Sequence, residues 1–157
     1  MALYGNIIAR DHAKSLLDTD YADHLAQVAG VCGQPTPDPF VMVRTDPSPY
    51  FLAQGSACEI TPANAASVVH TAPGRVTIAW RFWVVVSDIV AQPELEALAS
   101  RMELHKAALM TTFAYGNPNP AIQYQLVGVG SPPVRQRDTA FRQTVGVQVE
   151  YTIIEDI

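Results

Sequence analysis

Val76-Thr77-Ile78-Ala79-Trp80-Arg81-Phe82-Trp83-Val84-Val85-Val86 is the stretch on which the fold turns. Val76, Ile78, Trp80, Phe82, Val84 and Val86 fall on one side of an extended chain, and Thr77, Ala79, Arg81, Trp83 and Val85 on the other. The alternation predicts a central strand. Its second face turns apolar at Trp83 and Val85, which predicts cover on both sides of its far half.

Downstream, Pro93 fits the first turn of a helix, with Glu94 and Glu96 near the positive end of its dipole. Leu95, Leu98, Met102, His105 and Leu109 form its buried stripe, and the run Gly116-Asn117-Pro118-Asn119-Pro120 stops it. Ile122 to Val127 returns as a strand. Residues 128–141, with Pro132, Pro133, Arg135 and Arg137, read as an exposed connection or hairpin arm. The final strand alternates cleanly: Val145, Val147, Val149, Tyr151 and Ile153 on one face, Thr144, Gly146, Gln148, Glu150 and Thr152 on the other. The first face is core, and the second is wet or shared with a neighbour.

Upstream, Cys58 to Thr61 reads as a strand, followed by a loop holding Pro62, Asn64 and Pro73. Phe40 to Arg44 and Tyr50 to Ala53 flank the turn-forming Asp46-Pro47-Ser48-Pro49 and suggest a hairpin. Between Ile7 and Ala29, the steps of three and four at Leu17, Tyr21, Leu25 and Val28 predict a helix. Asp11 or Asp20 could cap its start, the latter implying a break, while Gly30 and Gly33 supply its stop. Strands that cluster instead of alternating with helices define an α+β class: a mainly antiparallel twisted sheet packed by two main helices. Residues 1–157 form one domain, without internal repeats.

A chain of 157 residues hides roughly 70% of its extended surface on folding. Only 16% of its residues are charged, against about 25% in an ordinary globular chain. The resulting neutral surface suits cover by a partner, and a Pro- and Ala-rich composition gives the same deficit without one. A net charge of −5 argues against general nucleic-acid binding, which needs clustered cations. Lys14 and Lys106 are the only lysines. The arginine preference favours fixed ion pairs at interfaces, as coding bias also would. Cys32 and Cys58 lack metal-binding spacing and read as two buried free thiols in a reducing compartment, with a disulfide left open. Met1 to Asn6 carries no signal-peptide pattern, and no apolar run reaches membrane-spanning length. The expectation is a soluble protein made in a cytoplasm.

Sequence patterns for catalysis fail one by one. His12, His24, His70 and His105 do not fall in metal-binding spacings. His24 follows Asp20 by four residues, a structural pairing on a helix, and His105 lies on the apolar stripe as a core-edge residue. Asp18, Asp20 and Asp23 lack the remaining ligands of a calcium loop. Gly128-Val129-Gly130 follows a strand, as a dinucleotide loop does, but leads into Ser131-Pro132-Pro133 and not a helix. Neither a nucleophile elbow nor a phosphate-binding loop is present, and neither cysteine has a local histidine to activate it. The reading is a protein that is not an enzyme. Arg135, Arg137 and Arg142 form the local basic cluster, which either contacts an acidic partner surface or passing nucleic acid, or is a solvated loop. Tyr4, Tyr50 and Trp83 are interface aromatics or core.

In length and element order the chain resembles the tail terminator and neck (tail completion) proteins of tailed bacteriophages. The likeness runs through the N-terminal helix, the Pro-punctuated strands, the strand from Arg75 to Val86, the helix from Pro93 to Thr111 and the strand from Arg142 to Ile153. It covers nearly the whole chain without a diagnostic short motif, so no functional residue is carried over. It implies a ring-forming subunit of the virion, commonly hexameric, that caps the tail tube and joins it to the neck and head-completion proteins. DNA would pass through the lumen without sequence-specific binding, and no cofactor or membrane partner is implied. Other head-tail adaptors and baseplate subunits, or a small-molecule enzyme or ligand-binding domain on the same layer, are the competing classes.

Overall fold

The computed structural model describes residues 3–38, 43–44, 55–91, 95–114, 122–130, 135–137 and 140–156, with side chains described outside 43–56, 89–95 and 131–140. Chain order is α1 (Gly5–Val31), β1 (Val43–Arg44), β2 (Gly55–Ile60), β3 (Asn64–Ala72), β4 (Arg75–Ala91), α2 (Leu95–Ala114), β5 (Gln123–Gly130), β6 (Arg135–Arg137) and β7 (Ala140–Asp156).

Two long antiparallel pairings are laid side by side. β2 and then β3 run along β4, and β5 and then β6 run along β7. The two inner strands pair with each other over their whole lengths, from Arg75 opposite Asp156 to Ala91 opposite Ala140. Each has 17 residues, which at about 3.4 Å apiece makes a ribbon about 55 Å long. The two-residue β1 lies parallel to β2, and every other described pairing is antiparallel. The fold is thus α+β, with a mainly antiparallel sheet packed against two helices, as the pattern of apolar residues predicts.

The stretch from Asn64 to Ala72, expected as loop, is instead strand β3. It lacks an apolar alternation because all nine of its residues are exposed, so burial leaves no imprint on its sequence. Pro62, which has no N–H to donate, lies at the break between β2 and β3. Thr61 bridges that break: its amide donates to the Trp83 carbonyl at 2.9 Å, and its Oγ1 accepts from the Trp83 amide at 2.9 Å. At the other end, Ala72 pairs with Arg75 around Pro73-Gly74, where Gly74 takes φ 75°. The proposed hairpin across Asp46 to Pro49 lies outside the described residues, as do Pro93 and Glu94.

α1 runs unbroken, so Asp11 and Asp20 lie within the helix and cap nothing. Tyr4 stands at the N-cap without a side-chain cap. Glu155 serves from the far end of the chain: its Oε1 accepts from the amides of Tyr4 and Gly5, each at 2.7 Å. The helix ends as its glycines predict. Gly33 adopts φ 65°, its amide donates to Gly30, and that of Gln34 donates to Ala29, the pairing of a Schellman turn.

α1 buries Gly5, Ala9, Ala13, Leu17, Tyr21, Leu25 and Ala29, a row at steps of four. The small residues at its start allow close approach to the sheet, where Arg10 Nη2 donates to the Ile60 carbonyl at 2.9 Å. Its second half meets α2, which buries Leu98, Met102, His105, Leu109 and Phe113. Both helices cover the sheet face bearing Phe82, Val84, Val147 and Val149. Burying each such aliphatic or aromatic side chain contributes about 1.5–3 kcal/mol. Phe82, Tyr151 and Tyr124 stack across three strands, with centroid separations of 5.6 and 5.2 Å.

The cysteines separate. Cys58 is fully buried on β2, where desolvation pushes its thiol pKa far up, whereas Cys32 is exposed beyond α1, against the expectation of two buried thiols. Both are free. A disulfide-exchange reagent is therefore expected to modify one thiol in the native protein and two after denaturation. Cys32→Ser should abolish the native reaction, and a fast residual reaction would contradict the placement of Cys58.

Candidate functional site

Three of the histidines tie elements together. His12 Nδ1 on α1 pairs with the Tyr151 hydroxyl on β7 at 2.9 Å, and His24 Nδ1 pairs with Thr112 Oγ1 on α2 at 2.9 Å. His105 Nδ1 on α2 makes a short hydrogen bond with the buried Tyr21 hydroxyl on α1. His24 thus bonds across to the second helix, and His105 is buried in the core instead of lying at its edge. Burial lowers the pKa of His12, and desolvation lowers that of His105 from 6.5 to about 4. His70 lies on the exposed β3. Among the described residues, no three of His, Cys, Asp and Glu gather as a metal site. Asp88, buried at the end of the helix-covered face, takes two hydrogen bonds from Arg101 on α2 at 3.0 and 3.1 Å.

The basic cluster is built on a strand pair. Of residues 128–141, those described are strand: 128–130 end β5, 135–137 form β6 and 140–141 begin β7, with β6 opposite the start of β7. Backbone register sets Arg135 opposite Arg142 and Arg137 opposite Ala140. Arg142 is half-buried and its Nη2 donates to Ser87 Oγ on β4 at 3.1 Å, so this member of the cluster is held against the sheet.

The sheet's second face is not covered by either described helix. Along β4 and β7 it presents Thr77, Arg81, Trp83, Val85 and Ser87 beside Ile154, Thr152, Glu150, Gln148 and Thr144. It carries two matched pairs, Arg81 with Glu150 and Arg75 with Asp156 at 2.8 Å, while Arg142 lies on the same face beside Ser87. Such pairs add little stability but leave their part of the face close to neutral. Among the described residues no second layer lies above Trp83, and its half-buried ring lies over glycines. A Cβ at Gly130 would meet Trp83 Cζ3 at 3.3 Å, and one at Gly146 would meet Trp83 Cε3 at 3.4 Å. The cover predicted for Trp83 and Val85 is thus partial and comes from neighbouring strands.

Among the described residues both outer edges are unguarded: β3 pairs only with β4, and β5 only with β7. Val68 and Val69 are each 53% exposed on β3, and Val127 and Val129 are exposed on β5. Neither strand contains Lys, Arg, Asp, Glu or Pro, the residues that ordinarily blunt an edge. Sequence reading found the amphipathic last strand but missed the β3 edge. The Pro73-Gly74 turn before the strongest strand was the available signal.

The described elements therefore define one mainly antiparallel layer, with helices on one face and, among the described residues, an uncovered second face and two unpaired outer edges. No family model matches the chain, and no curated protein does. No described helix is long and apolar enough to cross a membrane.

Proposed function

We propose that the chain is a structural virion protein of a tailed bacteriophage, the tail terminator that caps the tail tube and joins it to the head-neck region. The exposed β3 edge is the observation that carries this reading. A strand with uncharged residues and an unpaired backbone invites association, and a protein that works alone blocks it. In an assembly subunit the same edge is an interface in waiting.

The subunits form a closed ring, a hexamer by resemblance, with the tail tube protein on one side and the neck or head-completion protein on the other. Assembly takes place in the host cytoplasm. Its net charge of −5 and its matched surface pairs suit a lumen through which DNA slides without adhering. Arg135, Arg137 and Arg142 are the contact to an acidic neighbouring surface.

Light scattering on the purified protein, with electron microscopy of the same sample, tests the reading. A closed ring with an opening wide enough for duplex DNA is expected. A monomer at every concentration, with a small-molecule ligand in a deep polar pocket, would overturn it.

A further inference from the structure

We infer that successive copies of this chain join head to tail through their sheet edges, the outer edge of β3 in one copy pairing antiparallel with the outer edge of β5 in the next. This inference rests on the ring reading above and names the surface that makes the ring.

Strand direction is the first argument. β3 runs against β4, β4 against β7, and β7 against β5. A second copy placed beside β5 in the same orientation brings its β3 alongside, again antiparallel. The alternation of the whole sheet therefore continues across the junction, with every helix on one side and every open face on the other. Parallel pairing, which is slightly weaker per residue, is avoided.

Edge chemistry is the second argument. The regular run of β3, uninterrupted in its pairing with β4, is Ser67 to His70, and that of β5 is Gln123 to Leu126. Neither run carries an acidic, lysine or arginine side chain, and setting Val69 opposite Gln125 also sets Val68 opposite Leu126 and His70 opposite Tyr124, with faces matched throughout. Val69 lies opposite Thr77, and Gln125 lies opposite Glu150, so both sit on the open face of the sheet. Pairing between two β3 strands about a two-fold axis would satisfy one edge and leave β5 bare. A single repeated head-to-tail contact satisfies both and can close a ring.

Register supplies a geometric consequence. Ser67 and Gln123 lie at the same level, because both align with Thr152, Ser67 through Ala79 and Gln123 directly. From there the β3 run extends toward Glu155 and the β5 run toward Val149. The two runs are therefore staggered along the strands, and pairing them tilts the strands relative to the ring axis, as closure of a sheet requires.

Disulfide trapping tests the pairing. Val69→Cys and Gln125→Cys are made singly in a Cys32→Ser background, with Gln123→Cys as the same-face position one step along. Circular dichroism checks that each variant is folded. On mild oxidation, a mixture of the β3 and β5 variants is expected to form cross-linked dimers, and each variant alone to form none. A chain carrying both cysteines should give a ladder ending at the mass of the closed ring. Self-linking of Val69→Cys would overturn the inference in favour of a two-fold dimer. A ring of proven mass without any link would overturn it while leaving the ring reading intact. A monomer would overturn both. Linked rings that fail to bind tail tubes would uphold the edge pairing and count against the terminator role alone.

Discussion

Gly5→Ala is expected to lower stability by about 2–4 kcal/mol, an unusually large effect for a single added methyl group. A Cβ at this position would lie 2.6 Å from Glu155 Oε2 and 2.8 Å from Trp80 Nε1. The carboxylate must then leave the first amides of α1, and the helix loses the only cap among its described contacts. Urea denaturation of the single and double variants isolates the cause. Glu155→Ala should itself be destabilising, but in that background Gly5→Ala should cost less than it does in the wild type, because one of the two obstructing groups is gone and only Trp80 Nε1 remains. Additive effects would show that the clash at Gly5 does not involve Glu155.

Acid should weaken the protein through His105 by about 3 kcal/mol between pH 6.5 and about 4. Desolvation is the main cause of its lowered pKa; Asp88 opposes the shift and Arg101 adds to it. In the folded state the ring stays neutral, with Nδ1 engaged by Tyr21 and the buried Nε2 without a hydrogen-bond partner among the described residues. The unfolded chain takes up its proton near the ordinary value of 6.5, so it binds more protons than the folded chain below that pH. Stability from this group is therefore complete above pH 6.5 and falls away as the pH drops toward 4. Other groups, including His12, titrate in the same window, so the comparison of wild type with His105→Leu carries the test. The variant loses the Tyr21 hydrogen bond at every pH but should show a flatter pH dependence. Parallel curves for the two proteins would mean that His105 is not held neutral.

The parts of the fold that were legible in the sequence are those in which one face is buried and the other is not. Val145 to Ile153 alternates because the helices cover only one side of β7, and Leu98, Met102, His105 and Leu109 recur because α2 lies on the sheet along one stripe. β3 was hidden for the opposite reason: its order comes from backbone pairing with β4, and a strand exposed throughout places no demand on which side chains it carries. The start of α1 was hidden because its capping group lies 150 positions away in the chain. Among the residues of the candidate surface, the arginines and Trp83 were visible as residue types. Their arrangement, with Arg142 on Ser87 and Trp83 over glycines, depends on strand register, which no local pattern records.

The β4–β7 ribbon also sets the order in which this chain can fold. Its near end joins Ala91 to Ala140 and its far end joins Arg75 to Asp156, so the central pairing of the molecule is among its most sequence-distant. The β3–β4 turn and the two helices close much shorter loops and can form first. Zipping then proceeds from the end that α2 brings together toward the end where Glu155 reaches Tyr4 and Gly5. Until it is complete, the valines of both inner strands are uncovered, and at high concentration that interval is when aggregation competes with folding. Slow synthesis or low temperature should accordingly raise the soluble yield.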